Sequence, residues 1–212
     1  PANANVSVLD FPLRGALEQT FGTAGKGFEA LAEPLHLSGG PYANPYELMS
    51  FYDNHDMPRL QASDNGFIDA HNWLFTARGI PVVYYGSETG FMRGRAEHAG
   101  NRAYFGQPRV DAAPQSPIFV PLQRIAKLRE ATPALQRGLQ VNERLQGDEA
   151  VFFRVLQQND VTQTALVLLN KGDAARTFEV ERYLQAGTWR DALDGGSQTV
   201  DGTLKAEVPA HG

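Results

Sequence analysis

Residues 80–86 read IPVVYYG, a run that is apolar at almost every position. A half-exposed antiparallel strand alternates apolar and polar side chains, whereas a run with no polar face fits a strand covered on both sides in a parallel sheet. Parallel strands need crossover connections, and the sequence upstream supplies them. Residues 6–11, VSVLDF, form a short apolar run, and residues 13–21, LRGALEQTF, place Leu13, Leu17 and Phe21 at helical spacing. The Gly-, Pro- and Ala-rich stretch 21–47 reads as a long loop with at most a turn of helix. A second strand, LMSFYD at 48–53, is followed by a helix over 63–79, where Phe67, His71, Leu74 and Phe75 share one face and Gly79 supplies the stop. After residues 80–86 and another irregular loop, Ile118, Leu122, Ile125 and Leu128 mark a third helix. Repeated strand and helix with right-handed crossovers describes part of a doubly wound sheet or part of a (β/α) barrel.

The texture changes near residue 139. EAVFFRVLQ, TALVLLN, RTFEVE and LKAEV are short β-rich runs separated by the turn signals QND, NKGD and DGG, which point to an antiparallel sandwich. The expected division is residues 1–134 for the α/β part and 135–212 for the β-sandwich, with the boundary between 132 and 138.

Composition narrows the function classes. A net charge of -5 with no dense Lys and Arg stretch gives nucleic-acid phosphates nothing to bind, and no apolar run is long enough to span a membrane. The absence of cysteine excludes disulfides, a thiolate nucleophile and a Cys-ligated zinc site. The N-terminal stretch lacks the charged and long apolar regions of a signal peptide. No GxGxxG or GxxxxGK[ST] occurs, so the phosphate turn expected of a nucleotide-binding doubly wound sheet is missing.

The chemistry is concentrated in DNHD, Asp53 to Asp56, directly behind the apolar strand at 48–52. In parallel α/β folds the carboxyl ends of strands carry the reactive groups, because the loops there converge while the strands fix their positions. Two carboxylates beside an imidazole can grip vicinal hydroxyls, raise the pKa of a nearby acid or ligate a metal. An Asx-type turn with a capping Asp is the structural alternative.

DNHD behind an aromatic strand resembles the fourth signature region of the alpha-amylase family of glycoside hydrolases, at the end of the seventh strand of a (β/α)8 barrel. VSVLDFPLRGALEQTFG is similar to the sixth strand and helix of cyclodextrin glucanotransferases and related bacterial amylases. ARGIPVVYYGSE is similar to the eighth strand, GNR at 100–102 to a later loop, and LREATPALQRG to the last barrel helix. The resemblance implies the C-terminal portion of a (β/α)8 TIM barrel followed by an antiparallel β-sandwich. It implies that Asp56 is the third catalytic carboxylate, holding the 2- and 3-hydroxyls of the reacting sugar, with His55 bonding the same sugar. Arg102 matches an arginine that reaches a more distant glucose subsite. The glucanotransferase pattern has an Asp four residues before this Arg, where this chain has His98 beside Glu97, which puts the outer subsite in doubt. Asn54, Arg59 and Tyr85 complete the expected substrate-binding set, with Glu88 near the barrel mouth; Arg59 is also placed to pair with Asp53 or Asp56 in a structural role, and Tyr85 has a core position as its alternative.

The family's nucleophilic Asp, preceded by Arg two residues earlier, and its acid Glu have no matching motif here. The resemblance therefore expects the earlier strands to precede Pro1, and this stretch alone to be inactive. The implied function is a part of a retaining α-1,4-glucan-acting glycoside hydrolase on starch, maltodextrin or cyclodextrin. A transglycosylating cyclodextrin glucanotransferase type is the alternative, and a non-catalytic barrel relative with a binding role is the third reading. Implied partners are an α-glucan and the remainder of the barrel. No cofactor is expected in this stretch, and calcium is left to the missing part. A secreted or periplasmic location is weakly favoured by the acidic, cysteine-free composition.

Overall fold

The structure is a computed structural model that describes residues 8–212. Val6 and Ser7 of the first expected strand lie outside the described residues, as does most of the N-terminal stretch read for a leader. From Val8 onward the chain runs parallel to its neighbour, with Met49 N–H donating to Val8 O (2.9 Å) and Asp10 N–H to Met49 O (3.0 Å). Asp10 then caps helix α1, Phe11–Phe21, by accepting from Leu13 N–H, and Leu13, Leu17 and Phe21 are buried as the spacing predicts. The long loop that follows contains only short 3-10 turns, at Phe28–Leu31 and Pro45–Glu47.

Strand β1, Met49–Ser50, pairs in parallel with β2, Ile80–Pro81, on one side and bridges Leu9 on the other. The crossover between them is helix α2, Asp64–Thr76, capped by Ser63 Oγ accepting from Gly66 N–H. Two expectations are corrected. The apolar runs at 48–53 and 80–86 form ladders of only two residues each, and residues 80–86 are not covered on both sides. Ile80 is 43% exposed, and Pro81 to Tyr84 are only half-buried. A ladder continues only where a neighbouring backbone runs alongside, and the far edge of β2 has none among the described residues. Gly79 is not the helix stop. Helix α2 ends at Thr76, and Gly79, at φ 98°, serves the entry into β2, where a Cβ would lie 2.4 Å from Ser50 Oγ.

Helices α3 (Gln107–Ala112), α4 (Phe119–Ala131) and α5 (Pro133–Arg137) complete this part, with Ile118, Leu122 and Ile125 buried and Leu128 partly so. Short α3 falls in the loop read as irregular. Strands β3 (Leu139–Gln146), β4 (Glu149–Gln158) and β5 (Val161–Asn170) then form an antiparallel meander. Strand β6 (Arg176–Val180) pairs with β9 (Leu204–Val208), and β7 (Gly187–Arg190) with β8 (Ser197–Val200). The sequence reading lacked β3, β7 and β8.

Strand β4 is where the two parts share a core. Ala150 and Phe152 point toward the helices, with the Phe152 ring 5.5 Å from Trp73, while Val151 and Phe153 point the other way onto Phe178 and Val180. A strand buried on both faces reads as an unbroken apolar run for that reason. Two buried arginines reinforce the junction. Arg129 donates to the carbonyls of Phe75, Ala77 and Gly79, and Arg154 donates to those of Thr76 and Gly138. These guanidiniums satisfy carbonyls around the α2 C-terminus, where the helix dipole favours a cation. Burial nonetheless lowers Arg129 to about 10 and Arg154 to about 9.

Candidate functional site

The segment behind β1 is anchored from below. Phe51, Tyr52 and Asp53 are buried, and Tyr52 Oη lies 2.7 Å from Nε2 of His71 on α2. Burial lowers the His71 pKa to about 3, so the imidazole is neutral at ordinary pH, and burial raises the Tyr52 pKa well above its usual value. Asp53 accepts from Ser87 Oγ (2.7 Å) and Leu60 N–H (3.1 Å). Burial raises its pKa despite those two bonds. Asp53 is therefore an internal strut.

The chain then turns outward. Asn54 Oδ1 accepts from Asp56 N–H at 2.8 Å, an Asx turn that projects the next two side chains into solvent. The turn and the chemical cluster are thus the same feature. His55 Nε2 lies 3.1 Å from Asp56 Oδ2, and Arg102 Nη2 lies 2.9 Å from Asp56 Oδ1. Arg102 Nε also donates to His55 O (3.0 Å), as does Asn101 Nδ2 (2.7 Å). The Asp56 side chain is 59% exposed and that of Arg102 53%.

The structure brings His55, Asp56 and Arg102 together, with Asn54 shaping the turn that carries two of them. Tyr85 lies beyond β2 with its ring 4.6 Å from that of Tyr84, and its hydroxyl donates to Ala103 O (2.7 Å). Arg59 takes the structural one of its two readings, but not through the ion pair or substrate contact expected of it. It is 2% exposed and forms its contacts with carbonyls, Ser87 and aromatic rings rather than with Asp53 or Asp56, because the segment after Asp56 dives back into the fold. Glu88 is half-buried in the 3-10 turn Ser87–Thr89. His98 sits at φ 64° and pairs with Glu97 at 3.2 Å, so no carboxylate occupies the position four residues before Arg102.

Asn101 and Ser87 were not singled out from the sequence. Asn101 is fully buried, and its Oδ1 accepts from His98 N–H (2.8 Å) while its amide holds His55 O. The only available signal was its place inside GNR. The Asp56 cluster lies on an open surface. A cleft of about 500 Å³ lined by Phe21, Gly22, Gln61, Ser63 and Arg93 lies elsewhere, at the junction of α1 and α2. Among the described residues no group of three or more His, Asp or Glu is placed to hold a metal, and no helix is long and apolar enough to cross a membrane.

An exposed carboxylate flanked by an imidazole and a guanidinium is suited to binding neutral polyhydroxyl groups. The carboxylate accepts hydroxyl protons through strong charge-assisted bonds, and the neighbours donate to hydroxyl oxygens. A cyclomaltodextrin glucanotransferase of Bacillus sp. (strain 38-2) is 28% identical over 198 residues, covering 91% of this chain and 26% of that protein. The chain resembles the alpha-amylase family over almost its whole length. An alpha-amylase of Niallia circulans is likewise 28% identical over 206 residues, covering 93% of this chain and 37% of that protein. Among solved structures, the cyclomaltodextrin glucanotransferase CldA superposes with a TM-score of 0.76 at 32% identity, over 97% of this chain and 43% of its own. The alpha-amylase of Geobacillus thermoleovorans, complexed with acarbose, gives 0.79 at 24% identity, over 100% of this chain and 48% of its own. No protein-family model matches. The fold is the C-terminal portion of a (β/α)8 barrel followed by an antiparallel β-sandwich. The chain spans about a quarter of the length of the curated glucanotransferases it matches.

Proposed function

We propose that this chain forms part of a retaining α-1,4-glucan-acting glycoside hydrolase of alpha-amylase type, in which Asp56 is the third catalytic carboxylate. The observation that carries the reading is the meeting of His55, Asp56 and Arg102 at the carboxyl end of β1, in a chain that resembles glucanotransferases and amylases. Asp56 accepts hydrogen bonds from two vicinal hydroxyls of the reacting sugar. As the ring flattens toward an oxocarbenium-like transition state those bonds strengthen, so the carboxylate contributes more to turnover than to ground-state affinity. Arg102 holds one carboxylate oxygen, and His55, restrained through its carbonyl by Asn101 and Arg102, donates to the same sugar. The carboxylates that act as nucleophile and acid have no motif in this chain, so its residues complete a hydrolytic site rather than constitute one.

Calorimetric titration of maltohexaose into the chain tests this reading. Asp56→Ala should weaken binding roughly tenfold or more, as expected for hydrogen bonds to a charged acceptor. Absence of saccharide binding, or binding indifferent to Asp56, would overturn it. Transglycosylation is the second reading, supported by the 32% identity to the glucanotransferase CldA. Cyclic rather than linear products from a maltodextrin, formed by a protein that joins this chain to strands carrying the nucleophile and acid, would select it.

A further inference from the structure

Arg59 follows Asp56 by three residues but lies inside the fold, 2% exposed, with no carboxylate within ion-pair distance among the described residues. A buried guanidinium without an anion is costly unless its surroundings replace both charge and hydrogen bonds. Here aromatic faces take the charge. The guanidinium carbon lies 4.6 Å from the Tyr84 ring centre, 4.9 Å from Tyr85 and 5.7 Å from Phe91. Its hydrogen bonds are made by Nη1 and Nε, buried Nη2 having no partner among the described residues, and they go to separate segments. Nη1 donates to Tyr85 O (2.9 Å) and Ser87 Oγ (3.3 Å), both beyond β2, and Nε donates to Gly100 O (3.4 Å), the residue before Asn101 and Arg102. Ser87 Oγ in turn donates to Asp53 Oδ1, and Asp53 Oδ2 accepts from Leu60 N–H, which closes the network on the segment that carries His55 and Asp56.

One planar fork thus contacts the Tyr85 and Gly100 segments directly and reaches the Asp56 segment through Ser87 and Asp53. The buried Arg129 offers the contrast, since its bonds to the carbonyls of Phe75, Ala77 and Gly79 lie at the opposite end of β2. We propose that Arg59 is a positioning residue that holds the segments bearing Asp56, Tyr85 and Arg102 in mutual register for the α-glucan. The inference rests on the glucan reading above and deepens it. A lysine keeps the charge but loses the fork and the flat face, so it cannot bridge both segments while stacking on the rings.

The test compares Arg59→Lys with Arg129→Lys in the same chain, by maltohexaose titration and by ¹H–¹⁵N NMR of the Arg102 Nε–H and the amides of Asp56, Tyr85 and Arg102. Arg59→Lys should move these signals together and weaken maltohexaose binding roughly tenfold, the scale of a lost charge-assisted contact, while Arg129→Lys moves neither. Signals at Asp56 and Arg102 that stay in place, or affinity that falls no further than in Arg129→Lys, would overturn the proposal. If the unaltered chain binds no maltohexaose the glucan reading fails, and the NMR signals alone then decide whether Arg59 aligns the loops. Should Arg59→Lys not fold, Ser87→Ala removes only the link from Arg59 to Asp53 and should shift the same signals; unchanged signals there also overturn it.

Discussion

Two aspartate–arginine pairs in this molecule have nearly the same separation and opposite surroundings. Asp10 and Arg78 meet at 2.5 Å with both side chains fully buried, whereas Asp56 and Arg102 meet at 2.9 Å with both more than half exposed. The first is closed on all sides, and Arg78 uses its remaining donors on Leu35 O and Pro34 O. Neither partner can leave without stranding a charge in the interior. The second pair gains little from its contact, because water screens it and competes for the same atoms. That weakness suits a ligand site, since Asp56 can exchange an arginine contact for sugar hydroxyls at small cost. Burial, rather than residue type, separates a structural pair from a usable one.

The largest expected effect lies on the sealed side. Asp10→Ala should destabilise the chain by about 3–5 kcal/mol in urea unfolding, because Arg78 would remain buried without its counter-charge. A loss below about 1 kcal/mol would erase the distinction between the pairs, since that is the range of an exposed ion pair.

Next comes the pH response of sealed His71. The folded pKa of His71 is about 3 and lies below the ordinary value of 6.5, so the unfolded chain binds the extra proton. The associated stability is complete above pH 6.5 and is lost as pH falls toward 3, by up to about 1.4 kcal/mol per pH unit. Asp69 acts in the opposite sense, because burial raises its pKa from 3.8 to about 6 even though it hydrogen-bonds His211. The His71 share is therefore read as the difference between the unaltered chain and His71→Gln, which should have the flatter acid limb. Equal acid limbs would show that His71 is not sealed.

Smaller still is the stability change in Asp56→Ala, expected within about 1 kcal/mol in the same urea assay even though saccharide binding falls. A loss as large as that of Asp10→Ala would place Asp56 among the struts. The least effect should come from salt. At 1 M the screening length is about 3 Å, so the Arg102 Nη–H signals should shift toward those of a solvated guanidinium while the corresponding Arg78 signals stay in place.

Much of the fold was legible because helix periodicity and strand alternation record which side chains face a core. Leu13, Leu17 and Phe21 on α1 announced their burial through local spacing alone, and the β-rich run of β4 announced a strand. Strands β7 and β8 did not, because GTWR and SQTV are short and mostly exposed, and their pairing comes from each other rather than from a buried face. The open flank of β2 was equally hidden, since an apolar run records the burial a strand is suited to and not which neighbours lie beside it. Within the site, the sequence marked DNHD and GNR but could not rank their members. Asn101 and Ser87 act through hydrogen bonds to residues 46 and 34 positions away, a separation that leaves no local pattern.

The sequence by itself determined the longer helices and strands, the change from helical to β texture near residue 139, and the place where chemistry gathers, because propensity and periodicity act over a few residues. Only the tertiary structure decided that Asp53 is a buried strut and Asp56, three residues on, an exposed acceptor. The same holds for Arg59, turned inward onto aromatic rings, and Arg102, turned outward onto Asp56. Like residues in one short stretch differ in role because their surroundings are assembled from loops remote in the chain, and desolvation depends on that assembly alone.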